Sequence, residues 1–335
     1  MVHAVKLKQM KKEFIIRLVT PADVEGLLQL YEEVWSDIPY DKKSKVNFVL
    51  NESQGYNLCA EKNGEIVSSR LSYNLNFYIG NNRLKCIQLC DSCTRLDCRG
   101  KGIFGQLDES LLDLFFNEDK DGLIWNVSAD ASRRVHEKHG WVYIKSFITM
   151  LKICRPYHII SKIGFDISKL LGVIDWDPIN NYKTIDQKYL LAREKIMRTM
   201  NLLHVNYDVQ TINWRMKTNS GIKSYNTEDG IIYFKIGNKN GLKFILIGEV
   251  FLSDYKYTTF KRLIKAFVNE YFPDLIKLAI SKGHPLASFY KRSGFFYNPK
   301  RKYLNHGVRV ESDAMKKKCY DPYKWAISML DVDTF

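Results

Sequence analysis

The sequence is poor in residues that interrupt regular structure, with 8 prolines and 19 glycines among 335 residues. Hydrophobic residues make up 45% of the chain and charged residues 26%, a balance typical of a folded protein rather than of a disordered one. A chain of this length is long for one compact α/β unit. We therefore expect two domains, with ordered structure through almost the whole chain.

Long apolar runs are also missing. No stretch reaches the roughly 18 uninterrupted apolar residues of a membrane span, and the first residues lack the apolar segment of a signal peptide. The 7 cysteines are an odd number, and those between Cys86 and Cys98 are crowded together. This pattern fits free thiols better than a disulfide framework. The sequence predicts a cytoplasmic protein without a membrane span.

Acidic residues are in the minority, with 37 against 51 basic residues and a net charge of +14. Such a charge fits nucleic acid, an anionic membrane surface or an anionic ligand such as a nucleotide phosphate. Lysine and arginine are scattered along the chain, apart from two short clusters at 6–12 and 316–318. A solvated basic surface is therefore favoured, and no nucleic-acid partner is expected.

The spacing of apolar residues predicts an α/β chain whose second half repeats the later part of the first. A hairpin turn at Asn63-Gly64 joins two strands, and a strand ending at Thr94 is followed by a helix over 103–117. One further strand is expected over 142–153. The predicted domains are an N-terminal domain, a partly helical connector and a C-terminal domain, at 1–153, 154–220 and 221–335.

A loop over 95–102 separates the strand ending at Thr94 from the next helix, and its end carries two glycines and two basic residues. Its last four residues are Arg99, Gly100, Lys101 and Gly102. The amides of a glycine turn and the unpaired N–H groups of a helix start point at one place, where the helix dipole favours an anion. The segment predicts a phosphate-binding loop, with a plain glycine turn as the alternative.

This segment resembles the pyrophosphate loop of the GNAT acetyltransferases, which is written Arg/Gln-x-x-Gly-x-Gly/Ala. A second stretch, from Ser132 to Trp141, is similar to the family's helix that ends in Tyr-Glu-Lys-x-Gly-Phe. Two positions depart from the family pattern. Phe104 stands where Gly or Ala is frequent, and His136 aligns with the family's Tyr.

The second half resembles the same family more weakly. Residues 288–295 are similar to the helix and its Gly-aromatic corner, whereas 252–258 has no glycine and carries Asp254, which would repel a pyrophosphate. The resemblance implies a tandem of two GNAT-like domains, each a mostly antiparallel mixed sheet flanked by helices, in an α/β (α+β) fold. It also implies that only the first copy binds CoA.

The activity implied by the resemblance is N-acetylation, with acetyl-CoA as cosubstrate. The acetyl group would pass directly from the thioester to a primary amine of a small-molecule or sugar acceptor. Backbone N–H groups near the end of the fourth strand would bind the thioester oxygen. The cofactor-binding residues implied are Cys93, Thr94, Arg99, Gly100, Lys101, Gly102, Ile103, Asn126 and Ser132. A homo-oligomer is left open.

Two side chains are the candidates for proton transfer. Asp91 lies in an otherwise apolar strand, where burial would raise the pKa of a carboxyl group towards that of a general base. His136 is the candidate acid, because an imidazole exchanges protons near neutral pH. The structural alternatives are an aspartate bonded to neighbouring backbone and a packed or solvent-facing histidine.

Two other classes of function compete with an acetyltransferase. Cys86, Cys90 and Cys93 have the C-x3-C-x2-C spacing of radical-SAM iron–sulfur enzymes. On a strand, however, the third cysteine points to the face opposite the first two, which argues against a shared cluster. The second alternative is a protein that binds an acyl-CoA without turnover.

The carboxyl end, 325–335, combines apolar residues with acids and ends in Phe335. A loose tail of that composition is disfavoured, so we expect it to dock. Eis-type acetyltransferases, which this chain resembles in pairing an active GNAT copy with one that lacks the loop, bring a C-terminal carboxylate into the active site as base. Asp331, Asp333 or the Phe335 carboxylate would play this part here, whereas docking for stability is the favoured alternative.

Overall fold

The computed structural model describes residues 13–36, 41–53, 55–164, 166–170, 173–297 and 304–332. Contacts between Cα atoms divide the chain into two compact units. The first unit comprises the chain up to Phe77 together with Arg83–Ile144 and Asn305–Tyr320. The second comprises Tyr78–Asn82, Lys145–Leu304 and the chain from Asp321 onwards. The basic cluster predicted at 6–12 lies outside the described residues.

The first stretch of the chain alternates strands and helices. Before its first helix the N–H of Thr20 donates to Asp23 Oδ2 at 2.7 Å, as expected for a helix start. The elements in chain order are β1 (Ile15–Leu18), α1 (Val24–Trp35), α2 (Lys42–Asn51), β2 (Leu58–Lys62), β3 (Glu65–Ile79), β4 (Asn82–Thr94), α3 (Ile103–Glu118), β5 (Leu123–Ser128), α4 (Asp130–Lys138) and β6 (Val142–Ile144).

The second stretch contributes a further set of elements. They are β7 (Phe147–Ile153), α5 (Pro156–Ile163), β8 (Asp175–Trp176), α6 (Gln187–Thr199), β9 (Leu203–Val205), α7 (Val209–Thr218), β10 (Lys223–Thr227), β11 (Gly230–Lys239), β12 (Leu242–Leu252), α8 (Tyr257–Tyr271), β13 (Leu275–Ser281), α9 (Ala287–Arg292) and β14 (Phe296–Tyr297). The chain then forms β15 (Asn305–Arg309), α10 (Asp313–Cys319) and a 3₁₀ turn at Met329–Asp331.

The sheet of the first unit follows the order β1-β2-β3-β4-β5-β15-β6. The apolar face of α3 enters the core. Leu107, Leu111 and Phe115 recur on it at helical spacing and are fully buried. They pack in one cluster with Ile87 of β4 and Ile124 of β5. This packing fixes the start of α3 beside the carboxyl end of β4.

Strands β4 and β5 are paired over only part of their length. Their parallel pairing runs from Cys86 opposite Leu123 to Gln88 opposite Trp125, although β4 continues to Thr94 and β5 to Ser128. Just beyond the paired part, Asp91 has a φ of 41°, in the left-handed region that an aspartate seldom adopts. The two strands therefore separate at their carboxyl ends. We call the gap between 89–94 and 126–128 the β4–β5 opening.

The second unit repeats this arrangement. Its sheet follows the order β10-β11-β12-β13-β7-β14, and β12 pairs in parallel with β13 only from Phe244 to Ile247. The β11–β12 register shifts directly after this stretch, where Tyr233 faces Glu249 and Phe234 faces Ile247. A second opening follows between the ends of β12 and β13. The predicted fold class, two mixed sheets flanked by helices, is confirmed.

The last described residues fill that second opening. The N–H of Ser281, at the end of β13, donates to the carbonyl of Ile327 at 2.8 Å, and the turn Met329–Asp331 contacts both β12 and β13. Trp325 and Ile327 are fully buried. The expectation that this end docks onto the fold agrees with these contacts.

Each sheet includes a strand from the other half of the sequence. The single strand predicted over 142–153 is interrupted, since β6 stays in the first sheet whereas β7 pairs with β13 and β14 in the second. In return, β15 lies between β5 and β6. The structure thus departs from the predicted domain bounds at 153 and 221, because hydrogen bonding in each sheet is completed by a distant segment.

No described helix is long and apolar enough to cross a membrane.

Candidate functional site

The loop before α3 has the backbone geometry that an anion site requires. Gly100 and Gly102 both have a φ of 78°, and Gly102 is the N-cap of α3. Both glycines and both basic side chains of the loop are exposed. Arg99 Nε donates to the carbonyl of Thr94 at 3.0 Å, which ties the loop to the end of β4. The free N–H groups of the first turn of α3 are therefore presented beside positive charge.

The end of β4 is held by a serine of β3. Ser68 Oγ donates to the carbonyl of Cys93 at 2.7 Å and lies 2.8 Å from Thr94 Oγ1. Burial raises the pKa of the Cys93 thiol to about 12, so this cysteine stays protonated at neutral pH. Ile103 is buried in the core and offers only its backbone to a ligand.

The predicted base, Asp91, is buried and ion-paired. Lys45 Nζ of α2 lies 2.7 Å from Asp91 Oδ1, and both side chains are less than one tenth exposed. The backbone carbonyl of Asp91 accepts from Ser69 Oγ at 3.0 Å and from the Tyr31 hydroxyl at 3.4 Å. An ammonium at this distance favours the ionised carboxylate. Lys45 therefore already occupies one of the two carboxylate oxygens.

The predicted acid, His136, lies fully buried among polar and aromatic side chains. Its Nε2 is 3.0 Å from Arg70 Nη2, and its Nδ1 is 2.7 Å from the Tyr143 hydroxyl. Burial, followed by the nearby Arg70 charge, lowers the pKa of His136 to about 3. Because an arginine only donates, Nε2 accepts and the proton of the neutral ring sits on Nδ1. This geometry favours a packing role, and the role as acid remains a prediction.

The two remaining predicted residues flank this region. Asn126 lies in β5 opposite Gly307 of β15 and is half-buried. Ser132 lies in the first turns of α4 and is also half-buried. Their part in binding acetyl-CoA stays a prediction.

Sequence reasoning missed Lys45, Arg70, Asp108 and Tyr143. Arg70 of β3 and Asp108 of α3 form an ion pair whose side chains are both fully buried. His139 Nδ1 also bonds Asp108 Oδ2, at 2.8 Å. A signal for Asp108 existed, because it is spaced three, four and seven residues from the buried Leu111, Leu112 and Phe115. An acid on the apolar face of a helix indicates a buried partner.

The cysteines of the iron–sulfur alternative form no disulfide bond and are buried on β4. Within the part of the chain that the structure describes, no three histidine, cysteine, aspartate or glutamate side chains are grouped as metal ligands would be.

Comparison with known proteins identifies the first unit. Residues 15–144 match the model of the acetyltransferase (GNAT) domain, whereas no curated protein matches the chain. Similar solved structures include a GCN5-related N-acetyltransferase from Anabaena variabilis, with a TM-score of 0.64 and 11% identity over 91% of this chain and 74% of that one. Eis1 from Mycobacterium abscessus has a TM-score of 0.57 and 12% identity, over 89% of this chain and 74% of that one.

A third similar structure is the N-myristoyltransferase of Saccharomyces cerevisiae with bound myristoyl-CoA. Its TM-score is 0.52 and its identity 8%, over 91% of this chain and 81% of that one. The chain contains a GNAT domain at 15–144, which confirms the family expected from the loop. The GNAT fold supports acyl-CoA-dependent acyl transfer, and acetyl-CoA, the predicted cosubstrate, is the one that GNAT proteins use.

Proposed function

We propose that the first unit is an N-acetyltransferase that moves an acetyl group from acetyl-CoA to a primary amine of a small-molecule or sugar acceptor. One observation carries the proposal: the loop with two left-handed glycines at the start of α3 lies at the end of β4, where β4 separates from β5. A pyrophosphate on the loop would let the rest of the cosubstrate follow the end of β4 into the opening.

The acceptor must lose a proton before or during attack on the thioester, because only a neutral amine is nucleophilic. Asp91 is the proposed group for this task. Its carboxylate is already ionised beside Lys45. A cationic acceptor that replaced the Lys45 ammonium would gain the same charge partner and could then transfer its proton. The backbone N–H groups around Cys93 and Thr94 are proposed to bind the thioester oxygen.

The non-catalytic alternative has one observation in its favour. Both predicted proton-transfer groups are engaged within the fold, Asp91 with Lys45 and His136 with Arg70. A protein that only held an acyl-CoA would need neither group. Binding without release of thiol is the behaviour that this alternative predicts.

The test combines calorimetry with a thiol-release assay. Acetyl-CoA is titrated into the purified protein, and release of CoA is then followed across amino sugars, polyamines, peptide amines and aminoglycosides. We expect binding and amine-dependent thiol release, with the acetylated product seen by mass spectrometry. Binding of acetyl-CoA without thiol release for every acceptor would support the non-catalytic alternative. Absence of acetyl-CoA binding would contradict both the acetyltransferase and the alternative.

The assignment of Asp91 has its own variants. Asp91→Asn should lower turnover by about 10²-fold or more, as expected when a general base is lost, with acetyl-CoA affinity unchanged. Lys45→Met is the matched control, because it removes the ammonium that pairs with Asp91 and leaves the Asp91 carboxylate in place. Turnover of Asp91→Asn equal to that of wild type would show that Asp91 has a structural role.

A further inference from the structure

The side chain of Arg70 is an unusual feature of the first unit. It extends from β3, is fully buried, and its guanidinium is contacted from three other elements. Its Nη2 is paired with Asp108 of α3 and lies 3.0 Å from His136 Nε2 of α4. Its Nη1 donates to Ser92 Oγ of β4 at 3.2 Å. The ring of Phe104 in α3 stacks 4.8 Å from its central carbon.

These contacts place the guanidinium at the β4–β5 opening. Ser92 directly follows Asp91, the residue with left-handed backbone where β4 leaves β5. On the other side, the His136 ring bonds the Tyr143 hydroxyl, which in turn donates to Ser128 Oγ, the last residue of β5, at 3.2 Å. A continuous set of hydrogen bonds thus joins both strands that border the opening, and Arg70 is its only permanent cation.

The Nε donor of this group has no partner. Arg70 Nε is buried, and nothing in the described part of the chain accepts its proton. Buried donors are almost always paired, so an unpaired one indicates a water or a ligand atom in the native complex. Three of the four Nη N–H bonds are used by Ser92, Asp108 and His136. The Nε donor therefore points to a ligand that enters the opening.

We propose that Arg70 is a further catalytic residue of the acetyl transfer, and that its Nε–H faces the thioester and stabilises the charge that develops on sulfur. The proposal rests on the function proposed above. As the amine nitrogen bonds to the carbonyl carbon, the C–S bond breaks and its electron pair leaves with the sulfur as CoA thiolate. The cationic acceptor gives one proton to Asp91 before attack, and the second proton that leaves the attacking nitrogen passes through water to the thiolate, which departs as the CoA thiol. Arg70 stays protonated throughout.

This assignment explains why the family's tyrosine can be replaced by His136. The neutral ring accepts from Arg70 and donates towards Tyr143, so it positions the guanidinium instead of delivering a proton. Asp108 holds the same group from the opposite direction. A fixed cation stabilises a leaving thiolate without any proton transfer.

The first experiment leaves the protein unmutated. The ¹⁵N–¹H signal of Arg70 Nε is assigned as the one lost in Arg70→Lys, and wild type is titrated with acetyl-CoA and, separately, with adenosine 3′,5′-bisphosphate, which lacks the thioester. We expect acetyl-CoA alone to shift this signal. An unmoved signal at saturating acetyl-CoA would overturn the proposal.

The second experiment measures turnover. Arg70→Met combined with Asp108→Asn removes both charges of the buried pair, and we expect kcat to fall by about 10²-fold or more while KM for acetyl-CoA changes by less than about threefold. Arg70→Lys, which keeps the charge, should retain more activity than the double variant. A double variant with the melting temperature and kcat of wild type would overturn the proposal.

If the double variant does not fold, the wild-type titration and Arg70→Lys still decide the question. The outcomes also separate this proposal from the one on which it rests. Absence of acetyl-CoA binding or of thiol release in wild type defeats the proposed function. Normal turnover in wild type, together with an unmoved Arg70 signal, defeats only the role of Arg70.

Discussion

The backbone conformation of the anion loop depends on single residues, and Gly102 is the one whose substitution tests the loop best. Its φ of 78° is unfavourable for any other residue, although a Cβ at this position would meet only Gln106 Nε2 at 3.8 Å. Gly102→Ala should therefore fold, lose about 1 kcal/mol of stability through backbone strain and bind acetyl-CoA at least tenfold more weakly.

The matched control for this variant is Gly64→Ala. Gly64 has a φ of 84° and open space around its Cβ position, but it lies in the β2–β3 turn. Gly64→Ala therefore introduces the same kind of backbone strain as Gly102→Ala, but at a position outside the anion loop. Equal acetyl-CoA affinities for the two variants in calorimetry would show that the loop is not the binding site.

His136 gives a pH dependence whose sign follows from its burial. Its pKa in the folded protein is about 3, against 6.5 for a free imidazole. Between these values the unfolded chain binds the proton and the folded chain does not, so this group lowers the stability as the pH falls. The loss begins below about pH 6.5 and continues to about pH 3.

We expect urea denaturation to show a larger loss of unfolding free energy from pH 7.5 to pH 4.5 in wild type than in His136→Gln. The reason is that glutamine does not titrate, whereas other groups titrate equally in both proteins. Equal losses would contradict a neutral buried imidazole.

At the scale of helices and strands, much of the fold could be predicted from local periodicity. The Asn63-Gly64 hairpin, β3, β4 and α3 follow directly from alternating or helical patterns of apolar residues. Helix α2 was missed because its sequence, with three lysines among its first four residues, has no apolar stripe. Two of those lysines are buried and pair with acids of other elements, Lys42 with Glu32 of α1 and Lys45 with Asp91 of β4.

The candidate site likewise contains one part that the local sequence predicts and one part that it does not. The loop could be predicted because glycines and basic residues adjoin a helix start within one short segment. The Arg70 centre as a whole could not, since its members come from β3, α3, α4 and β6. Only Asp108 stands out within its own element, as an acid among the apolar positions of α3, but that position does not name its partner. Partners that are separated by tens of residues leave no local signal in a single sequence.

The carboxyl-terminal turn acts as a structural element. Asp331 is fully buried, its carboxylate accepts from the Tyr207 hydroxyl, and the N–H of Ser328 donates to it at 2.8 Å. These bonds use the Asp331 carboxylate within the second unit and favour docking over a role as base. Asp333 and Phe335 lie outside the described residues.

Asp331→Asn should therefore destabilise the protein by about 1–3 kcal/mol, because it replaces a buried acceptor of the Tyr207 hydroxyl and the Ser328 N–H. Turnover should fall only as far as folded protein is lost. Asp313→Asn is the control, since that carboxylate is almost fully exposed. Loss of turnover at an unchanged melting temperature would restore the catalytic reading of this residue.

The second opening supports a stoichiometry of one acetyl-CoA per chain. The segment 252–258 contains no glycine, and the turn Met329–Asp331 contacts both strands where a cosubstrate would have to pass. Calorimetry should give one site per chain, and Gly102→Ala should weaken that site. Two equivalent sites in wild type would contradict this expectation.

For the whole molecule, the exchange of β7 and β15 makes each sheet dependent on the other half of the sequence. Trp125 of β5 is fully buried and faces Val308 of β15 in the register. A chain ending at residue 304 lacks β15 and should lose the cooperative unfolding transition of the first unit. A chain ending at residue 332 is the control, and cooperative unfolding of both chains would contradict the prediction.

The exchange of β15 also delays completion of the first sheet while the chain is being synthesised. Asn305 bonds to Ser128 across 177 positions of sequence. A ribosome adding roughly 5–20 residues per second needs about 10–35 seconds to make that intervening chain. During this time β5 has emerged while its partner has not, and its apolar edge is open to pairing with other nascent chains. This strand should therefore need shielding until β15 has been synthesised, so a shortage of chaperones should reduce the yield of this protein before it reduces its activity per molecule.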